Sequence, residues 1–234
     1  MTTPADGVGP ATGHAGIAVF PIGLVVAGRR CLVVGGGRVA GRKIAALLAA
    51  GASVTVIAPE VHEAVAALAA DGALAAIEGD PVDIQLRPYR SGEARDYRLV
   101  LTATGDPAVD GEARRDAEAA GVWVNSADDP ANCTALLPAV HRQGAVSVAV
   151  STGGASPALA SWLRDRVVEA IGPGLAELAE LLAEGRAAVS AQGRPTSDVD
   201  WRGLLDGPLP GLVAEGRIDQ ARALIASAIN IPLQ

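Results

Sequence analysis

The sequence predicts an α/β fold: a parallel-sheet domain, then a strand-rich section, then a small helical C-terminal domain. Three observations carry this expectation. Apolar runs that read as strands alternate with helical patterns through the first half of the chain. Half of the 234 residues are hydrophobic but only 3% are aromatic. Ala, Val and Leu must therefore build the core, which suits aliphatic parallel strands under Ala-rich helices. After Pro130 the alternation of strand and crossover helix is lost, and two short strands flank a polar turn. The length suffices for one large or two small domains with a substantial core.

Met1 to Gly16 is rich in Gly, Ala, Thr and Pro and reads as a disordered tail over residues 1–16. Ile17 to Val26 reads as an extended entry segment, a strand leading into the sheet. Cys31 to Val34 is a strand ending in Gly35, Gly36 and Gly37, and a helical pattern from Arg38 to Ala50 stops at Gly51. The spacing Gly35-x-Gly37-x-x-Ala40 is the strand–turn–helix fingerprint of a dinucleotide site, so the sheet is expected to be of Rossmann type. The first glycine permits the tight turn. The second lets a pyrophosphate approach bare backbone, and the small Ala40 lets the helix pack on the strand. The helix N-terminus offers its N–H groups and a partial positive charge to the phosphates. A β-branched strand, Ser53 to Ile57, follows and supplies the context that a glycine turn alone lacks.

That second strand ends at Ala58-Pro59-Glu60, where a dinucleotide fold meets the adenosine ribose. A carboxylate there suits the free 2′-hydroxyl of NAD, whereas NADP calls for Arg. No Arg or Lys lies between Ala58 and Asp71, so NAD is the expected cofactor. Glu60 reads equally well as an acid complementing the dipole of the next helix, Val61 to Ala70. Leu74 to Ile77 reads as a third strand. Pro81 to Asp96 reads as polar and irregular, with a short helix near Ile84. Leu99 to Ala103 is a fourth strand that ends in Thr104-Gly105-Asp106 at the cofactor crevice. Asp106 reads as the N-cap of a helix from Ala108 to Ala120, with Pro107 at its first position, ahead of a place on the nicotinamide side. Trp123 to Asn125 is a fifth strand, running into Ser126-Ala127-Asp128-Asp129-Pro130. Two adjacent acids at a strand's carboxyl end invite a catalytic reading, and an Asp-Asp-Pro turn explains them equally well.

Ala135 to His141 and Ala145 to Ser151 read as a hairpin about Arg142-Gln143-Gly144. The small-residue loop Ser151 to Pro157 opens a helix, Ala158 to Ile171. It either binds a carboxylate or phosphate through backbone N–H groups or simply caps the helix. Gly172-Pro173-Gly174 breaks the helix. Leu175 to Ala191 is a long amphipathic helix and Gln192 to Asp200 a polar loop. Trp201 to Leu205 and Arg217 to Ile229 are helical. This last third reads as too small to stand alone, so it is expected to pack on the hairpin or on another copy of the chain.

The net charge is -7 with no basic block, which argues against nucleic acid as a partner. The apolar stretch Gly16 to Gly28 is too short to span a bilayer and is interrupted by Pro21. No basic region precedes it, so neither a membrane anchor nor a signal peptide is expected. Cys31 and Cys133 form no metal pattern and no disulfide framework, and a cytoplasmic location follows by default.

A series of motifs then narrows the reading: FPIGL at Phe20 to Leu24, LVVGGGRVAGRK at Leu32 to Lys43 and VTVIAPE at Val54 to Glu60. LTATGD at Leu101 to Asp106, VNSADDPANCTALLPA at Val124 to Ala139 and VAVSTGGASPALA at Val148 to Ala160 complete it. In their order and spacing, over residues 17–170, the chain resembles the siroheme synthase N-terminal family. These are the precorrin-2 dehydrogenases, some of them also sirohydrochlorin ferrochelatases. The tail after Gly172 matches only in kind. The resemblance implies an NAD-binding domain over residues 17–132, a strand-rich dimerisation section over 133–157, a helical C-terminal domain over 158–234, and a homodimer. It implies oxidation of precorrin-2 to sirohydrochlorin by NAD, with Asp128 as the essential acid and Asp129 the weaker candidate. It places cofactor contacts at Arg38, Val39, Pro59 and Glu60, beside Gly35 and Gly37 of the fingerprint and Thr104 and Asn125 at the strand ends. In some relatives a phosphorylatable Ser stands where this chain has Thr152. No methyltransferase domain follows, so precorrin-2 is expected from another protein.

The dehydrogenation removes a hydride and a proton, and a base must take the proton. An unperturbed Asp titrates at ~3.9, low for a base near neutral pH. Burial beside Trp123 and Val124 would raise Asp128. The substrate carries many carboxylates, so Arg142, Arg164 and Arg166 are candidate contacts, with Thr152 and Gly153 of the loop. Surface pairing with Asp165 and Glu169 would explain Arg164 and Arg166 equally. Arg42 and Lys43 are expected on the exposed face of the first helix. Insertion of Fe²⁺ would use the same cleft. No His/Cys cluster of metal-binding spacing is present, and His141 reads as an ordinary surface or core histidine. The alternatives are an NAD-sensing regulatory module without catalysis, or a tetrapyrrole or metal carrier. Neither explains the Asn125–Asp128 segment, the hairpin and the Thr152 loop in one chain.

Overall fold

A computed structural model describes residues 16–70, 82–127 and 129–230. Residues 17–137 form one compact unit, and Gly16 with the chain from Pro138 onward forms a second.

The first unit is a five-stranded sheet: β1 (Arg30–Val34), β2 (Ser53–Ala58), β3 (Val82–Leu86), β4 (Leu99–Thr102) and β5 (Trp123–Ser126). All pairings are parallel and the order is β3-β2-β1-β4-β5. Successive residues of β1 point to opposite faces. Cys31 and Val33 join one core, with Ile44, Leu47 and Leu48 of α1 (Arg38–Leu48) and Val65 of α2 (Glu63–Ala70). Leu32 and Val34 join the other, with Ala113 and Ala117 of α3 (Pro107–Ala119). Strands covered on both faces have no use for polar alternation, and β1, β2 and β4 accordingly read as mainly apolar runs, with the buried Thr55 the polar residue inside β2. In α1 the buried residues Ala40, Ile44, Leu47 and Leu48 form a stripe of helical period that faces the sheet. Asp106 caps α3 as expected: its carboxylate accepts from the Ala108 N–H at 2.9 Å, and Pro107 takes the first helical position.

Two expectations fail in this unit. Ile17 to Val26 is not a strand, and of its residues only Val26 is buried. β1 already has β2 on one side and β4 on the other, so a segment just before β1 has no free edge beside it. The stretch read as irregular, with a helix near Ile84, instead contains β3. Val82, Ile84 and Leu86 alternate with Asp83 and Gln85, and an edge strand needs only one apolar face. The strand expected at Leu74 to Ile77 lies outside the described residues.

The second unit opens with an antiparallel hairpin, β6 (Ala139–Gln143) and β7 (Val146–Val150), with Ala139 opposite Val150. α4 (Pro157–Ile171) packs on both strands. The helices α5 (Leu175–Ala191), α6 (Trp201–Asp206), α7 (Leu209–Ala214) and α8 (Ile218–Ile229) follow. α7 was not foreseen, because Pro210 and Gly211 hide it. Its Leu209 and Val213, one turn apart, are nonetheless buried. The helical part packs on the hairpin, as expected, through α4 and through the contact of α5 with β7, and it also has apolar residues to bury among its own helices. Leu181, Val189, Leu209, Val213, Ile225 and Ile229 close a core of their own.

Candidate functional site

The strand order reverses between β1 and β4, and a crevice at the carboxyl ends of those strands is where open α/β sheets take ligands. The glycine turn stands there, and its three glycines do different work. Gly35 has φ +118°, and a Cβ on it would lie 2.4 Å from the Ala103 carbonyl oxygen at the end of β4. A Cβ on Gly36 would lie 2.1 Å from the Glu60 carbonyl oxygen after β2. The fingerprint leaves Gly36 as any residue, so its constraint was not visible in the sequence. Gly37 has open space around it, with nothing within 4 Å of its Cβ position. It is the N-cap of α1 and contributes no capping side chain. The first N–H groups of α1 therefore face a bare cradle, which fits a pyrophosphate.

The loop after β2 is tied to this turn. The His62 N–H donates to the Gly36 carbonyl at 2.8 Å. Pro59 and Glu60 are exposed in the bend, and Val39 is half-buried at the start of α1. The acid in the first turn of α2 is Glu63, which leaves Glu60 outside that helix. Arg38 is exposed and turns toward the loop, its Nε 3.2 Å from His62 Nε2. The sequence reading gave His62 no role.

A buried polar network closes the β4–β5 side. The Thr104 hydroxyl donates to the Asp110 carboxylate at 2.6 Å and accepts from the Asp106 N–H at 2.9 Å. The Thr102 hydroxyl donates to Ser126 Oγ at 3.0 Å, and Ser126 Oγ in turn donates to Asp110 at 3.4 Å. Asn125 is 7% exposed. Its side-chain oxygen accepts from Lys43 Nζ at 2.6 Å, and its amide nitrogen donates to the Ala135 carbonyl at 3.0 Å. Lys43 is thus half-buried and reaches from α1 to the end of β5, not on the exposed face where it was expected.

The loop after β5 is held by small contacts. Cys133 Sγ accepts from the Ser126 N–H at 3.2 Å and lies 3.3 Å from the Ser126 and Asp129 carbonyls. Burial pushes its thiol pKa up, so it serves as a neutral pin. The Asp129 carboxylate accepts from Asn132 Nδ2 at 2.5 Å and steadies the short turn Pro130–Asn132. Asp128 lies outside the described residues. The loop that carries it leaves β5 at the carboxyl edge of the sheet, the edge that also bears the glycine turn.

In the second unit, Thr152 Oγ1 donates to the Ser156 carbonyl at 3.0 Å and accepts from the Ser156 N–H at 3.1 Å. Gly153 has φ +61°, and its N–H donates to Ser151 Oγ at 3.1 Å. Ser156 caps α4 through the Leu159 N–H. Arg164 pairs with Asp165 at 2.6 Å and Arg166 with Glu169 at 2.8 Å, the surface pairings weighed in the sequence. Arg142 is exposed on the hairpin and has no ion pair among the described residues. His141 is half-buried there. No group of three or more His, Cys, Asp and Glu that could hold a metal ion occurs among the described residues. A hollow of about 600 Å³ lies at the opposite end of the sheet, among Arg29, Arg98 and Trp123 at the starts of β1, β4 and β5.

Residues 22–139 match the family described as putative NAD(P)-binding. The chain belongs to that family. This NAD(P)-binding family member continues into a segment, residues 143–170, that matches the sirohaem biosynthesis protein central family. The resemblance read from the motifs is thereby shown. Over 213 residues it is 36% identical to the siroheme synthase of Nitrosococcus oceani, covering 90% of this chain and 44% of the relative. Over 209 residues it is 39% identical to the siroheme synthase of Chromobacterium violaceum, covering 87% and 42%. The chain therefore spans less than half the length of these curated relatives. Its fold is similar to that of SirC, precorrin-2 dehydrogenase, with a TM-score of 0.68 at 23% identity, over 89% of this chain and 100% of that one. No helix among the described residues is long and apolar enough to cross a membrane.

Proposed function

We propose that this chain is an NAD-dependent precorrin-2 dehydrogenase, which oxidises precorrin-2 to sirohydrochlorin in siroheme biosynthesis. One observation carries the proposal. An open glycine cradle at the sheet's switch point shares its edge with the Asn125 segment, in a chain that runs on into the sirohaem central segment. Bound NAD supplies the hydride acceptor. The bare Gly37 backbone and the first turn of α1 hold the pyrophosphate. Glu60 receives the ribose, which is the reason for choosing NAD. Lys43 fixes the Asn125 amide, so the floor of the crevice is rigid before substrate arrives. Asp128, on the loop after β5, takes the proton from the reduced macrocycle. Thr152, Gly153, Arg142 and Arg164 are proposed for the substrate carboxylates, and Arg164 exchanges Asp165 for one of them.

The functional form is proposed to be a homodimer. A two-stranded hairpin is marginal alone, and α4 covers only one face of this one. Val140, Arg142, Ser147 and Ala149 remain exposed on the other face. The helix itself exposes Leu159, Trp162, Val167 and Ile171.

Mixing the protein with NAD and precorrin-2 and following NADH absorbance tests the reading. NADH appears if the proposal is right. Binding of NAD without turnover would instead leave the NAD-sensing module. Asp128→Asn is expected to bind NAD normally and to lose on the order of 10²-fold or more in rate. Feeding sirohydrochlorin with Fe²⁺ or Co²⁺ in the absence of NAD reports separately whether the same cleft accepts the metal as a second substrate.

A further inference from the structure

We infer that the hollow at the amino ends of β1, β4 and β5 is a second binding site, for a small planar aromatic carboxylate. The inference goes beyond the proposed oxidation and does not depend on it. The hollow measures about 600 Å³ and lies wholly within the first unit. Small-molecule sites run from about 300 to about 1,000 Å³, so the size fits. The glycine turn stands at the carboxyl ends of the same strands. The five residues of β1 hold the two places apart by roughly 16 Å, at about 3.3 Å per residue, so both can be filled at once.

The walls carry two kinds of group. Leu24, Val25 and Trp123 offer apolar surface, and Trp123 is 49% exposed although it begins a strand. Leu24 closes the FPIGL motif, to which the dinucleotide site gives no task. An indole left open to water suits a flat ring stacked on its face. Arg29, Arg95 and Arg98 supply the charge. The Arg29 and Arg98 side chains make no hydrogen bond or ion pair among the described residues. Arg95 engages its Nε, which donates to the Gly92 carbonyl at 2.7 Å. The neighbouring Arg30 is already taken, its guanidinium lying 4.7 Å from the centroid of the Tyr97 ring. Asp96 is the carboxylate in the lining, and the carboxyl end of α3, at Ala120 and Gly121, adds roughly half a negative charge. Against three guanidiniums this leaves an excess of roughly one and a half positive charges. Such an excess matches one or two carboxylates and falls short of a polyphosphate. A guanidinium meets a carboxylate through two parallel N–H···O bonds, which fixes the direction of the ring that carries it. In a chain of net charge -7, positive charge gathered in one hollow also draws an anion to that place.

The experiment is calorimetric titration of the full chain with naphthalene-2,6-dicarboxylate, alone and then in the presence of saturating NAD. One site is expected, with a Kd on the order of 0.1 mM that NAD leaves unchanged. Citrate, which has the charge without the ring, should bind about tenfold more weakly or worse. Arg29→Ala and Arg98→Ala should each weaken the dicarboxylate about tenfold, the loss expected of one charge-assisted contact. Both side chains are exposed, so the circular dichroism spectrum and the NAD affinity of these variants should match the parent's. No binding of the dicarboxylate at millimolar concentration overturns the inference. Competition with NAD also overturns it, because the probe would then occupy the glycine cradle. So does an affinity that neither arginine variant changes, and citrate binding as tightly as the dicarboxylate overturns the assignment of a ring. A chain that binds the dicarboxylate and not NAD removes the dinucleotide reading and leaves this one standing.

Discussion

Gly36 and Gly37 are adjacent and chemically identical, yet the structure assigns them different consequences. A methyl group on Gly36 would meet a backbone oxygen at 2.1 Å, and backbone cannot swing aside. Gly36→Ala is therefore expected to lower folding stability by about 1–3 kcal/mol, the usual cost of overpacking, as measured by urea unfolding. A methyl group on Gly37 meets nothing, and its φ of -79° suits alanine. Gly37→Ala should melt like the parent protein and still lose NAD affinity, because the added carbon occupies the space the pyrophosphate needs. Equal NAD affinity in Gly37→Ala would show that the cradle is not the phosphate site. The sequence made Gly35 and Gly37 legible because their spacing is a local pattern. It concealed Gly36, Lys43 and His62, whose roles depend on partners far along the chain: the Glu60 carbonyl, Asn125 and Arg38. Asn125 was found through its motif, but the ammonium that orients it lies 82 positions away.

Among the elements, those with both faces buried were the easiest to read. β1, β2 and β4 are mainly apolar runs, and their ends fell within one residue of expectation. β3 was missed because an edge strand alternates, and its polar half resembles a loop. Its far end is held by an ion pair that periodicity does not reveal. Arg87, just past β3, donates to both carboxylate oxygens of Glu93 at 2.6 and 3.0 Å, and Glu93 also accepts from the Arg90 N–H at 2.9 Å. The Arg87 hydrogen bond, first among the causes, holds the Glu93 carboxyl below the usual carboxylate range. A depressed acid contributes its stability above the unfolded pKa of ~4.3 and loses it as pH falls through the folded value. Glu93→Gln should thus cost about 0.5–1 kcal/mol at neutral pH. The difference from the parent should shrink toward zero below about pH 4, read from thermal melts across that range. A difference that persists undiminished in acid would mean the pair is not the cause.

At the scale of the whole molecule, the chain divides between residues 137 and 138, and each unit has its own core. The second unit was the less legible. Its helices carry small residues and broad apolar faces, so periodicity alone did not show which side is covered, and α7 passed as a loop. The structure leaves an apolar surface exposed on α4, which the sequence analysis did not anticipate. Trp162 is 58% exposed, and Leu159, Val167 and Ile171 are each at least 40% exposed. If this surface belongs to a homodimer, Trp162→Glu should yield a folded monomer in sedimentation velocity, with an unchanged circular dichroism spectrum. A parent protein that already sediments as a monomer would remove the dimer.

The division of labour in the glycine turn also supplies a way to read kin of this chain. Positions 35 and 36 are policed by backbone carbonyls just beyond the neighbouring strands, so any descendant that still folds must keep them small. Position 37 is policed only by its guest. A lineage that has abandoned the dinucleotide should therefore let a side chain drift in at that one place while the two before it stay bare, and such a pattern would date the loss of chemistry without an assay.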